Sequence, residues 1–249
     1  MSSSTRKPAP RKRASRTPLL VCAGVAVAAI TLGLVSWQAS SSRDGSRDTT
    51  ASAAGSTPRA EDPLAELKAL ARREAGDKLA LGRPDAPVVL IEYSDFKCGY
   101  CGKFARDTEP ALVKKYVDAG TLRIEWRNFP IFGADSEAAA KAAWAAGQQD
   151  RFAAFHAAAY ADGAKEKGFG EERLVELARE AGVPDLERFQ RDMAGPQAAE
   201  ALRRDQEEGY RIGVSSTPSF LVGGQPLAGA QPLAAFEAAI SWAAAAAGK

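Results

Sequence analysis

The chain has 249 residues, 45% of them hydrophobic and 26% charged, with 33 Lys/Arg against 31 Asp/Glu. Nine of the basic residues but only two acids, Asp44 and Asp48, fall in residues 1–60, which leaves 24 basic and 29 acidic side chains in the remainder. That mildly acidic remainder argues against a nucleic-acid-binding module, and three cysteines (Cys22, Cys98 and Cys101) are too few for a disulfide-stapled scaffold.

Arg6, Lys7, Arg11, Lys12, Arg13 and Arg16 form a basic run with no acid in it. The 20 residues from Pro18 to Trp37 carry no charge. That is enough helix to cross a hydrocarbon core about 30 Å thick. The reading is a cytoplasmic tail (1–17), a transmembrane helix (18–37) that acts as a signal-anchor, and an extracytoplasmic remainder oriented by the positive-inside rule. A cleaved signal peptide is the competing reading, with Ala39-Ser40-Ser41 a mediocre cleavage site; both export the rest of the chain. Cys22 lies inside the apolar run and reads as a packing or lipid-facing residue. Residues 38–60, rich in Ser, Thr, Ala and Gly, lack large apolar side chains and read as a disordered stalk.

The folded domain is expected over 61–249. Leu64, Leu67 and Ala71 recur at helical spacing, predicting a short helix up to Gly76. Val88–Tyr93 (VVLIEY) reads as a buried strand. The stretch after SDFKCGYC fits a helix ending at Gly120 and kinked at Pro110. Leu122–Phe129 alternates apolar and polar residues and reads as a second strand. Residues 135–212 read as several short helices, with Trp144, Phe152, Phe155, Leu174, Leu177, Ala178 and Ala181 as core faces. Breaks fall at Gly147, Gly163, Gly182-Val183-Pro184 and Gly195-Pro196. Ser219–Val222, Gly223-Gly224 and QPLAG form a hairpin. A last helix runs from about Pro232 to Ala246. The class is α/β with a mixed sheet.

Cys98 and Cys101 stand at i and i+3 on the first turn of a predicted helix, where they face each other and can close a small ring. The first lies among the unpaired N–H groups of the helix start, which favour negative charge and so a thiolate. The second is placed to resolve a mixed disulfide. Lys97 would favour the thiolate, and Asp95, a helix-start acid, would slightly oppose it. A structural zinc site needs about four Cys or His ligands, and beyond these two the chain offers only Cys22 and His156. A purely structural disulfide is the other alternative, though so small a ring removes little chain entropy. His156, in an Ala-rich amphipathic stretch, reads as a packing or surface residue.

The segments VVLIEYSDFKCGYCGKF and GVSSTPSFLVGGQPLAGAQPLAAFEAAI resemble the DsbA-like branch of the thioredoxin superfamily over about residues 78–246. The resemblance implies a thioredoxin-like fold with a helical insertion at about 135–212, preceded here by the one N-terminal transmembrane helix. It implies a redox-active Cys98–Cys101 disulfide, with Cys98 the attacking sulfur and Cys101 the resolving one. Pro218 is then the cis proline opposite the pair. Thr217 and Pro218, with Gly99 and Tyr100, are substrate-contacting positions, and Glu92 is a buried acid that assists proton transfer at Cys101. The dipeptide Gly99-Tyr100 departs from the family's Pro-His, so no histidine within the motif stabilises the thiolate. The implied activity is disulfide formation in exported proteins with free thiols, with reoxidation by a membrane quinone-linked partner and with no metal or cofactor. A reductase or isomerase using the same pair, and a non-catalytic binding module on the same fold, are the alternatives.

Overall fold

The computed structural model describes residues 63–248. The expected tail, transmembrane helix and stalk, and Cys22, lie outside the described residues. Among the described residues no helix is long and apolar enough to cross a membrane.

Five strands form one mixed sheet in the order β1-β3-β2-β4-β5: β1 Ala80–Leu81, β2 Val88–Ser94, β3 Leu122–Asn128, β4 Ser219–Val222 and β5 Gln225–Ala228. β2 is central and pairs parallel with β3 and antiparallel with β4, and all seven of its residues are buried. An apolar, β-branched strand start fits that place, because both faces are covered. The β4–β5 hairpin turns on Gly223 and Gly224, both at positive φ (57° and 88°), a conformation that glycine adopts without steric cost.

The first helix, α1, spans only Pro63–Lys68, shorter than its periodicity predicts. The chain leaves the helix because the backbone N–H groups of Arg72 and Arg73 bond the carboxylate of Glu125 on β3 at 3.0 and 2.8 Å. The single kinked helix expected after the CxxC is two helices, α2 (Gly99–Asp107) and α3 (Glu109–Leu112), followed by a π-helical turn over Val113–Val117. Pro110 sits in the first turn of α3. There its missing N–H costs nothing, whereas further into a continuous helix it would clash with the preceding turn.

The helical block resolves into α4 (Ala134–Gly147), α5 (Phe152–Ala159), α6 (Glu171–Glu180), α7 (Leu186–Ala194) and α8 (Pro196–Arg211), with breaks at the predicted glycines. Phe155, Leu174, Leu177, Ala178 and Phe189 join Phe96 and Trp126 in its core. The final helix, α9, spans Leu233–Ala247.

One sheet face, carrying Val88, Leu90, Ile124 and Phe220, packs on Phe104 of α2, Leu112 of α3 and Phe236 and Ile240 of α9. The other carries Val89, Ile91, Tyr93 and Leu221, and packs on residues near α1 and just after α8. α8 lies close against this second face because Gly209 lacks a side chain: a Cβ there would stand 2.6 Å from the Phe129 ring. The alternation of β3 predicts a solvated polar side, yet the whole strand is buried. Its polar side chains are enclosed in ion pairs. Glu125 bonds Arg123 and Arg127, each at 2.9 Å, and Arg127 also reaches Glu208 of α8 at 2.9 Å.

Candidate active site

β2 delivers the chain directly into the CxxC. Cys98 is the N-cap of α2, with extended backbone (φ −74°, ψ 118°), and Cys101 lies within its first turn. Cys98 retains 5% exposure and Cys101 none. Cys98 lines a small cleft of about 90 Å³ with Gly99, Arg106, Tyr160, Asp162 and Lys165. Tyr100 is 68% exposed beside it. Both cysteines are free thiols, so the structure holds the dithiol form of the pair rather than the disulfide.

The two sulfurs are electrostatically unequal. Cys98 falls from an ordinary 9.0 to about 6, chiefly because the Cys101 thiol donates to it. Burial opposes that fall, and Thr217 and the N–H groups of Cys101 and Tyr100 assist it. Cys101 is pushed well up, first by burial, then by its hydrogen bond to Cys98 and the charge there. The thiolate is thus stabilised without a histidine in the motif: the helix start and the second cysteine supply the donors.

Antiparallel pairing of β4 with β2, Ser219 opposite Tyr93, carries the preceding Thr217-Pro218 to the CxxC. The Thr217–Pro218 peptide is cis, as the sequence resemblance implies. When protonated, Cys98 Sγ donates to the Thr217 carbonyl at 3.2 Å. Thr217 Oγ1 is buried and has no nitrogen or oxygen partner.

Glu92 lies on β2 with no exposure, and neither carboxyl oxygen makes a hydrogen bond. Burial raises it well above the ordinary carboxylate value; the charge of Glu109 adds to the rise, nearby Ser94 moderates it and Cys98 adds further. A buried neutral carboxyl is chemically able to give or take a proton.

Two expectations are corrected. The Asp95 carboxylate does not face the helix start as a bare charge. It accepts from the backbone N–H of Lys97 at 2.7 Å, of Ile131 at 2.6 Å and of Phe132 at 3.2 Å, which disperses its charge. Lys97 turns its ammonium to Asp135 at 3.2 Å rather than to the sulfur. His156 is a packed residue, ringed by Phe96, Trp126, Phe152 and Tyr160.

Sequence reasoning passes over Lys165, Arg106 and Glu109. Lys165 Nζ lies 3.1 Å from where a Gly99 Cβ would stand. Arg106 donates to the Tyr160 carbonyl at 2.6 Å and walls the cleft. Neither position has a local signal, because the insertion's 160–167 turn brings their partners from some 60 residues away.

A family model described as Thioredoxin matches residues 74–241. The chain belongs to the thioredoxin family. Within that family it is similar to a probable disulfide bond formation protein D from Bacillus anthracis, 33% identical over 151 residues that cover 58% of this chain and 69% of the relative. A thioredoxin-like oxidoreductase from Silicibacter pomeroyi is 32% identical, with a TM-score of 0.57 over 67% of this chain and 96% of its own. Oxidised BdbD from Bacillus subtilis shares the fold at 23% identity, with a TM-score of 0.60 over 68% of this chain and 94% of its own. This thioredoxin-family chain is a DsbA-like thiol-disulfide oxidoreductase. Cys98 and Cys101 are the two cysteines among the described residues.

Proposed function

We propose that the chain introduces disulfides into exported proteins, that it does so on the extracytoplasmic side of a membrane, and that residues 18–37 anchor it there. A substrate thiolate attacks Cys98 Sγ of the disulfide form. The Cys98–Cys101 bond breaks and its electron pair leaves on Cys101, which takes a proton from Glu92. A second substrate thiolate then attacks the substrate sulfur of the mixed disulfide and expels Cys98 as thiolate. The products are an oxidised substrate and the dithiol enzyme. Thr217, Pro218, Gly99 and Tyr100 border the attacked sulfur and would receive the substrate backbone. A membrane quinone-linked partner would accept the two electrons and restore the disulfide.

The observation that carries the oxidising direction is the separation of the two thiols. A Cys98 held at about 6 is largely thiolate at neutral pH, which stabilises the dithiol state and makes the disulfide state the stronger oxidant. The decisive measurement is the reduction potential of the pair. A value towards about −120 mV supports an oxidant, and one near about −270 mV would overturn that direction in favour of a reductase. Cys98→Ser is expected to abolish oxidation of a dithiol peptide; retained turnover would place the chemistry elsewhere.

A further inference from the structure

Glu92 faces the same side of the sheet as its register partners Trp126 on β3 and Phe220 on β4. Glu109, the first residue of α3, is buried on that side as well, with 9% exposure. Its Oε2 lies 3.7 Å from Nδ1 of His156 on α5, beyond hydrogen-bond range. Nε2 of His156 and both carboxyl oxygens of Glu92 are buried without a hydrogen-bond partner. Among the described residues no Lys or Arg is paired with either glutamate. One compartment beneath the CxxC thus holds two carboxyls and an imidazole with no cation to balance them.

The geometry points to Glu109 as the positioning residue for the proton donor: Glu92 and Glu109 form a buried carboxyl pair that shares a proton, and the charge of Glu109 keeps that proton on Glu92, ready for the Cys101 sulfur. This rests on the proton-transfer role given to Glu92 above. Two carboxylates in a poorly solvated site cannot readily both ionise, so the pair titrates as a unit. Burial lifts Glu109 to about 7, and after burial the Glu109 charge is the largest influence raising Glu92. Burial lowers His156 to about 3, so the imidazole stays neutral beside Glu109 and does not quench it. The other titratable groups facing the pair are Cys98 and Cys101, from α2 and its N-cap, and Tyr160 at the end of α5, which burial keeps protonated. Asp95 acts on Tyr160, and its own carboxylate is taken up by three backbone amides. β3 and β4 contribute the uncharged Trp126 and Phe220.

In the step concerned, the attacking substrate thiolate forms a bond to Cys98 Sγ, the Cys98–Cys101 bond breaks, and the Glu92 proton moves to Cys101. Glu92 ends as carboxylate, and charge and electrons balance. Losing the Glu109 charge would let Glu92 ionise at lower pH, so that fewer molecules hold the proton when attack occurs.

The test is carboxyl NMR of the full chain carrying ¹³C-labelled glutamate, with Glu92 and Glu109 assigned from Glu92→Gln and Glu109→Gln. Glu109→Gln is expected to move the Glu92 titration down by about one pH unit or more, and Glu109→Asp, which keeps the charge, to hold it high. Reciprocally, Glu92→Gln should lower the titration of Glu109, and this arm does not depend on the folding of a Glu109 variant. In single-turnover oxidation of a dithiol peptide, the alkaline limb of the pH profile should shift down with Glu109→Gln. A titration of either carboxyl that stays where it was when the other is replaced overturns the pair. A coupled titration with a pH profile indifferent to Glu92→Gln would uphold the pair and remove Glu92 as donor.

Discussion

The sheet carries two fully buried glutamates in opposite chemical states. Glu125 on β3 is gripped by Arg123, Arg127 and the backbone N–H groups of Arg72 and Arg73. Burial alone would raise it, yet those donors and the Arg127 charge bring it down to about 2. Glu92 on β2, on the opposite face, has a second acid for company and rises. Burial is common to both, so the partners decide the charge. A paired carboxylate holds elements together. An unpaired one is a reservoir for a proton, and among the described residues it lies on the side that carries the dithiol.

The largest effect expected from this contrast is on stability. Arg127→Met leaves buried Glu125 and partly buried Glu208 without their shared guanidinium, and should cost about 3–5 kcal/mol in urea unfolding at pH 7. A loss below about 1 kcal/mol would mean that the cluster clasps little. The next effect is a pH dependence. Because the folded-state value of Glu125 lies below the unfolded one, its contribution is complete above about 4.5 and is lost as pH falls towards 2. Allowing for solvent screening, that is about 2 kcal/mol. The gap in stability between the unsubstituted chain and Glu125→Gln should therefore narrow as pH falls from about 5 towards 2. The smallest effect has the opposite sign. Glu92 has a raised folded-state value, so it penalises the fold increasingly as pH rises above its unfolded value. Glu92→Gln should stabilise the chain by about 1 kcal/mol at pH 8 and by nearly nothing at pH 4, while slowing the resolving chemistry. Equal unfolding midpoints for the two proteins at both pH values would break the contrast.

What the sequence discloses divides along similar lines. Cys98, Cys101 and the β2 run are read from neighbours in the chain, and the insertion's helix breaks are read from glycines and prolines. Cis Thr217–Pro218 is legible only through the resemblance, since a Thr-Pro before a strand is ordinarily trans. The polar alternation of β3 misleads, because the cover for that face comes from α8 and the segment after α1, whose charges complement it only in three dimensions. β1 is two residues long and has no periodic signal of its own. Glu109 stands out by nothing in its own stretch of sequence. Its meaning comes from His156, 47 positions later, and from Glu92, neither of which is a sequence neighbour.

Asp95 anchors two places at once. The same carboxylate that holds the amide of Lys97, one residue before the attacking cysteine, holds the amides of Ile131 and Phe132, whose side chains are 38% and 51% exposed. Exposed apolar residues on a free loop would sample many orientations and lose that freedom at each encounter with another chain. Here the loop is tethered to the turn that presents the sulfur. The ordering of this rim therefore belongs to the folding of the domain, and an encounter with another chain need not supply it.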